Sequence, residues 1–167
     1  MIQKRRRAPL LALLLGIPAL LSGSSLPAGD LTVFVSTANP TPDWGRGFGA
    51  ALSTTWFEVL SFEGEIERLG GDPQGPWAAL NMTSFTASAL LAPPIGRLTP
   101  YGGLGLGVFR QANDPDSDTG RLRAFILGTK LTLGVLVLRI DYRRVDLSGE
   151  PLLGLETRLA AGAGISF

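Results

Sequence analysis

The stretch that decides the fold ends the chain and reads LETRLAAGAGISF, residues 155–167. Successive side chains of an extended strand point to opposite faces, so alternate residues share a face. One face of this stretch carries leucine, alanine, isoleucine and phenylalanine, and the other carries charged and small residues. This alternation predicts a β-strand with one apolar and one polar face.

Seven earlier segments repeat the same period of two, separated by clusters of Gly, Pro, Asn and Asp that mark turns. Each segment spans about nine to fourteen residues, which suits a tilted membrane strand. An even number of strands brings both ends of a closed barrel to the same side. The sequence therefore predicts an all-β fold, an eight-stranded antiparallel up-and-down β-barrel over residues 29–167.

The first 28 residues have the pattern of a cleavable signal peptide. Residues 4–7 read KRRR, an apolar run extends from Ala8 to Leu21, and small residues follow from Ser22. A basic head, a short apolar core and a small-residue exit are typical of a secretory signal. An uncleaved anchor is the alternative, although the run is short for a bilayer span and contains Pro18.

Charge and composition exclude several classes of function. Four of the 15 basic residues lie in residues 4–7, which leaves 11 basic against 14 acidic residues and gives no reason to expect nucleic-acid binding. The chain has no cysteine and no histidine. It therefore lacks thiolate metal ligands, disulfides and the most common general base. We expect no enzymatic activity, no metal and no cofactor.

The acidic stretch from Asp114 to Gly120 is the one candidate for a cation site. Asp114, Asp116 and Asp118 place oxygen ligands at alternate positions, as at the start of an EF-hand loop. The glycine comes one place late, and Phe125 stands where the bidentate glutamate would be. The sequence favours an acidic surface loop, with a bound divalent ion as the alternative.

Alternation alone fits two barrels, one with its apolar face inside and soluble, the other with that face toward lipid. The polar face is rich in glycine, which a narrow lumen needs and a wet exterior does not. Its charges have both signs and can neutralise one another in a lumen. The predicted lumen charge network consists of Glu63, Glu65, Glu67, Lys130, Arg139, Asp141, Arg143, Glu156 and Arg158. Aromatic residues near segment ends favour the membrane barrel, and the predicted interfacial aromatics are Trp44, Trp56, Trp77 and Tyr142.

Three stretches resemble the small outer-membrane β-barrel proteins of the OmpA and OmpX type. PYGGLGLGVFR at residues 100–110 is similar to their mid-barrel strand, and LRIDYR at residues 138–143 to their penultimate strand. Gly162, Ile165 and Phe167 match the C-terminal assembly signal of such barrels, although Ala160 stands where that signal usually has a polar residue.

The resemblance implies a monomeric, non-enzymatic barrel in the outer membrane of a Gram-negative bacterium, with a structural or surface-interaction role. It implies as partners the outer-membrane lipid and lipopolysaccharide, the outer-membrane insertion machinery and periplasmic chaperones. Two alternatives remain open at this point. One is a soluble periplasmic barrel that binds a small apolar ligand and holds Leu104, Leu106, Leu138 and Ile140 inside. The other is a narrow outer-membrane channel.

Overall fold

The computed structural model describes residues 28–39, 44–75, 78–113 and 116–167. The predicted signal peptide falls outside these residues except for Ala28, so it stays a prediction. Within the described residues no helix is long and apolar enough to cross a membrane. The eight strands are β1 Gly29–Asn39, β2 Trp44–Trp56, β3 Leu60–Gly71, β4 Asn81–Leu91, β5 Leu98–Asn113, β6 Asp116–Leu133, β7 Leu136–Ser148 and β8 Thr157–Ser166.

These strands form one closed barrel in which each strand pairs antiparallel with the next along the chain. Closure comes from β1 and β8, which pair from Asp30–Ser166 to Asn39–Thr157. Just beyond this ladder, Gly29 and Phe167 exchange two backbone hydrogen bonds of 2.9 Å. A closed sheet leaves no unpaired edge strand. The predicted eight-stranded up-and-down barrel is confirmed.

The two ends of the barrel differ, and we name them by their connections. The turn end holds the start of β1, the end of β8 and the short turns at residues 57–59, 92–97 and 134–135. The loop end holds the opposite ends of the strands, where β1 leads to β2, β3 to β4, β5 to β6 and β7 to β8. An irregular segment of eight residues, 149–156, links β7 to β8 at the loop end.

Apolar side chains cover the outside of the barrel. Leu104 and Leu106 are 66% and 67% exposed, and Leu138 and Ile140 also point outward. The soluble alternative needed all four inside, so the structure contradicts it. On the opposite face, the glutamates of β3 and the arginines of β7 are buried in the interior. Burying charge while exposing apolar surface is the reverse of a soluble barrel and is the arrangement of a membrane barrel.

A bulge at the start of β2 corrects the prediction for Trp44. The β2–β3 register shifts between Trp44 and Gly47, so one strand carries an extra residue there. An extra residue reverses the alternation, and the Trp44 side chain turns into the barrel, where it is 3% exposed. Trp44 is therefore not an interfacial aromatic.

The predicted loop from Asp114 to Gly120 is largely strand. The β5–β6 ladder continues to the pair Asn113–Asp116, so Asp116 and Asp118 belong to β6. Asp114 lies outside the described residues. Cross-strand pairing of the two longest strands therefore replaces the extended acidic loop that the composition indicated.

Candidate functional site

The interior holds a continuous group of ionised side chains that we call the charged core. Its members are Lys130, Arg139, Arg143, Arg158, Asp30, Glu63, Glu65, Glu67 and Asp141. The side chains come from opposite walls of the barrel, since the glutamates lie on β3 and most of the cations on β7 and β8. The alternation that selected these positions in the sequence also points them toward the barrel axis.

Two arginines of β7 share carboxylates at the centre of the charged core. Arg139 lies 2.8 Å from Glu63 and 2.7 Å from Asp141. Arg143 lies 3.0 Å from Glu63, 2.6 Å from Glu65 and 2.9 Å from Asp141. Each carboxylate is thereby held by two guanidinium groups or by several hydrogen bonds, as buried charge requires.

Arg158 of β8 extends the charged core toward the loop end. Its guanidinium lies 2.8 Å from Glu65 and is also paired with Glu67. The hydroxyl of Ser36 donates to the other oxygen of Glu67. A small cavity of about 10 Å³ adjoins Glu67, Arg143 and Arg158, which is room for about one water molecule.

Lys130 and Asp30 extend the charged core toward the turn end. The Lys130 ammonium lies 2.6 Å from the Asp30 carboxylate and donates to the hydroxyl of Ser53 at 2.9 Å. The lumen charge network predicted from the sequence did not include Asp30. Asp30 shares a strand face with Thr32 and Ser36, whose side chains are both buried, and this shared face is the signal that identifies it.

Aromatic rings line the charged core, and the site residues predicted from the sequence did not include them. The ring of Phe34 lies 5.9 Å from the Arg139 guanidinium and 5.3 Å from that of Arg158. The Tyr101 hydroxyl donates to Asp141 at 3.2 Å. A Cβ on Gly128 would lie 2.5 Å from the Tyr101 ring, so glycine there makes room for it. Stacking on ring faces favours desolvated guanidinium groups.

The charges of this core nearly cancel. The charged core contains four cations and five carboxylates. Their side chains are almost fully buried, apart from those of Lys130 and Asp30 at the turn end. Charges in such surroundings interact strongly because the local dielectric is low. Attraction within the network therefore offsets part of the cost of desolvation, and loss of one member leaves a buried charge without compensation.

Apolar side chains close the barrel above the charged core, and we call them the apolar cap. The cap consists of Trp44, Leu69, Leu80, Met82, Phe109, Leu122, Val145 and Leu155, with Leu147, Leu152 and Leu153 packed against them. The β7–β8 segment contributes three of these leucines, so it folds into the mouth of the barrel. Two side chains hold it there. The Trp44 indole donates to the Gly154 carbonyl at 2.8 Å, and Gln111 bonds both backbone groups of Leu153.

Replacement of Gln111 by leucine should release the β7–β8 segment. The Gln111 amide is fully buried, donating to the Leu153 carbonyl at 2.7 Å and accepting from its N–H at 3.1 Å. Each backbone group left without a partner costs about 1–3 kcal/mol. Amide hydrogen exchange at Leu153 should therefore accelerate by roughly tenfold or more.

The exposed Gln74 provides the control for this substitution. Gln74→Leu should leave exchange at Leu153 unchanged. Equal exchange rates in Gln111→Leu and the unaltered chain would show that the segment is held in the mouth by other contacts.

The structure corrects one predicted member of the charge network and leaves the other roles as predictions. Glu156 is exposed and precedes β8, because the segment that enters the mouth interrupts the alternation before Thr157. Trp56 and Tyr142 are both exposed on the outer face. Trp56 lies at the turn end, and Tyr142 lies two residues from Arg144 on β7. Trp77 lies outside the described residues. The predicted assembly-signal residues Gly162, Ile165 and Phe167 all lie in β8 or directly after it.

Several solved bacterial β-barrel structures have the same architecture. Neisserial surface protein A superposes with a TM-score of 0.64 at 16% identity, covering 87% of this chain and 98% of that one. The N-terminal β-barrel domain of Pseudomonas aeruginosa OprF gives 0.57 at 14% identity, covering 85% and 98%. The chain has the fold of the small outer-membrane β-barrels. Ail of Yersinia pestis gives 0.54 at 13% identity, covering 86% and 100%. No protein-family model and no curated protein sequence matches the chain.

This outer-membrane barrel fold has a basic ring on its outside at the loop end, which we call the arginine row. Its members are Arg46, Arg68, Arg110, Arg121, Arg123 and Arg144, all exposed. Each lies nearer the loop end than the turn end of its strand, and Arg68 and Arg110 both pair with Thr83 of β4. Among the described residues, none of the ion pairs of the barrel involves an arginine of this row. Below the row the outer face is apolar.

The interior of the outer-membrane barrel fold leaves little room for transport. The charged core fills its middle, the apolar cap fills the loop end, and the cavity between them measures about 10 Å³. Eight strands enclose a space that side chains can fill completely. The described residues therefore favour a sealed barrel over the narrow channel.

Proposed function

We propose that this chain is a non-enzymatic integral protein of the bacterial outer membrane with a structural or surface-interaction role. One observation carries the proposal: the barrel exposes its apolar side chains and buries a compensated set of charges. Lipid is the solvent in which that distribution is stable, since water would favour its reverse. The likeness to solved outer-membrane barrels supports the fold on which the proposal rests.

Two features support lipopolysaccharide as a partner. The arginine row lies where the apolar outer face ends, and guanidinium groups bind phosphate strongly through paired hydrogen bonds. The phosphates of lipopolysaccharide lie at the same level of the outer leaflet if the loop end faces the cell exterior. The chain acts as a monomer in this proposal, because the closed barrel has no open edge strand to pair with another copy.

The proposal also includes assembly by periplasmic chaperones and the outer-membrane insertion machinery. Before insertion, the unfolded chain would expose in water the apolar residues that later face lipid, and such segments aggregate. The predicted assembly signal lies at the end of β8, where Ile165 and Phe167 remain exposed on the outer face.

Membrane fractionation with an unboiled gel tests the proposed function. The protein should separate with the outer membrane, and its unboiled form should migrate differently from the boiled form, because a closed barrel resists unfolding by detergent. Recovery in the soluble periplasm with a single mobility would contradict the proposal.

A further inference from the structure

Each turn at the turn end presents an apolar residue to the outside. Phe57, Ile95 and Val135 are 85%, 65% and 72% exposed, and Phe167 beside them is 69% exposed. Residues at the tips of turns in water are usually Gly, Asn, Asp, Ser or Pro. The turn end therefore carries an apolar rim that continues the apolar outer face past the ends of the strands.

The β2–β3 turn keeps this apolar tip in spite of backbone strain. Phe57 and Glu58 have φ angles of 52° and 66°, and they are the non-glycine residues with positive φ in the described part of the chain. A bulky side chain in the left-handed region is disfavoured, whereas Gly or Asn adopts it readily. A turn exposed to water gains nothing from phenylalanine at this position, so the strain points to a contact made by the ring.

Charge is distributed unevenly between the two ends. Glu58 and Arg97 are the exposed charged residues among the three turns. The loop end carries the whole arginine row and several exposed acids, including Asp146 and Glu150. An end with so few charges and an apolar rim matches the lipid interface better than bulk water.

We propose that the turn end is seated in the inner leaflet, with Phe57, Ile95, Val135 and Phe167 at the boundary between headgroups and acyl chains. The occupant of this apolar rim is thus phospholipid, and the turns do not project into the periplasm. The inference rests on the proposed function and goes beyond it, because an inserted barrel could equally hold its turns in water.

Fluorescence from a tryptophan placed at the tip tests the seating. In a chain with Trp44→Phe, Trp56→Phe and Trp77→Phe, Phe57→Trp supplies the sole tryptophan. In phosphatidylcholine vesicles, lipids brominated near the headgroup end of the chain should quench it strongly, and aqueous iodide should quench it weakly. Ser117→Trp in the same background, at the exposed start of β6, should show the opposite pattern.

The sign of a stability change provides a second test. Phe57→Asn relieves the left-handed strain but removes the apolar tip. If the turn lies in water, the urea midpoint of unfolding from vesicles should rise. If the turn is seated in lipid, the midpoint should fall, while Phe57→Leu should stay close to the unaltered chain.

Three results would overturn the seating. They are iodide quenching at position 57, a raised midpoint in Phe57→Asn, and shielding from iodide that appears only at high protein density, which would indicate a second copy as the occupant. Every variant is first checked for the mobility difference of the unboiled barrel. If the variants show this mobility difference but fail the quenching test, only the seating is refuted. If the unaltered chain shows no mobility difference between boiled and unboiled samples, the proposed function is refuted.

Discussion

Leu104→Arg should destabilise the barrel by about 2–4 kcal/mol, the cost of a basic side chain facing lipid near the middle of the bilayer. Leu104 is 66% exposed on the outer face, six residues from Arg110 at the arginine row and six from Leu98 at the turn end. The free energy of unfolding in urea, measured from lipid vesicles by tryptophan fluorescence, gives the effect directly.

The control places the same side chain at a different depth. Thr83 is exposed on the outer face at the arginine row, between Arg68 and Arg110. Near the interface an added arginine costs about 0–1 kcal/mol, so Thr83→Arg should be nearly neutral. Equal effects at the two depths, or a gain in stability for Leu104→Arg, would mean that water and not lipid surrounds Leu104.

Arg143→Met should cost about 3–5 kcal/mol or prevent folding, because it removes the charge that binds three buried carboxylates. The lost contacts are those to Glu63, Glu65 and Asp141. Methionine fills similar space, so the effect reports on charge more than on packing. Urea unfolding from vesicles measures the loss of stability. The yield of protein whose gel mobility changes on boiling shows whether the barrel folds at all.

Two further variants separate charge from position. Arg144 is the next residue but points outward in the arginine row, and Arg144→Met should change stability by no more than about 0.5 kcal/mol. Adding Glu65→Gln to Arg143→Met should recover part of the loss, since it returns the charged core to an excess of one carboxylate while Arg158 keeps its pairing with Glu67. No recovery in the double variant, or equal losses for the two arginines, would show that Arg143 is not held by the charged core.

The period of two was enough to predict most of the barrel. It assigned Glu63 and Arg139 to one face and Leu104 and Leu106 to the other, because the faces of a strand depend on sequence spacing alone. The number of strands followed from turn residues between the segments. Which face meets lipid did not follow from the period, and the structure decides it through the burial of the charges.

Errors in the prediction occur where the period is broken. Trp44 turned inward because of a bulge, and the neighbouring Gly45 was its available signal, since a Cβ there would lie 2.7 Å from the Gly71 carbonyl oxygen. Glu156 fell outside because the segment before β8 enters the barrel mouth. Leu152 and Leu153, apolar residues in an apparent loop, were the signal for that insertion. The pairing of particular charges across the barrel depends on register, which no single strand encodes.

The most direct measurement of the central claim compares methyl groups inside and outside the barrel by nuclear magnetic resonance. Spin-labelled lipid should broaden the methyl signals of Leu104, Leu106 and Ile140, and it should leave those of Leu122 and Ile126 sharp. A water-soluble paramagnetic agent should broaden neither group, since lipid covers the first and the barrel wall encloses the second. Broadening of Leu104 and Leu106 by the water-soluble agent, with no effect of the lipid, would contradict the account.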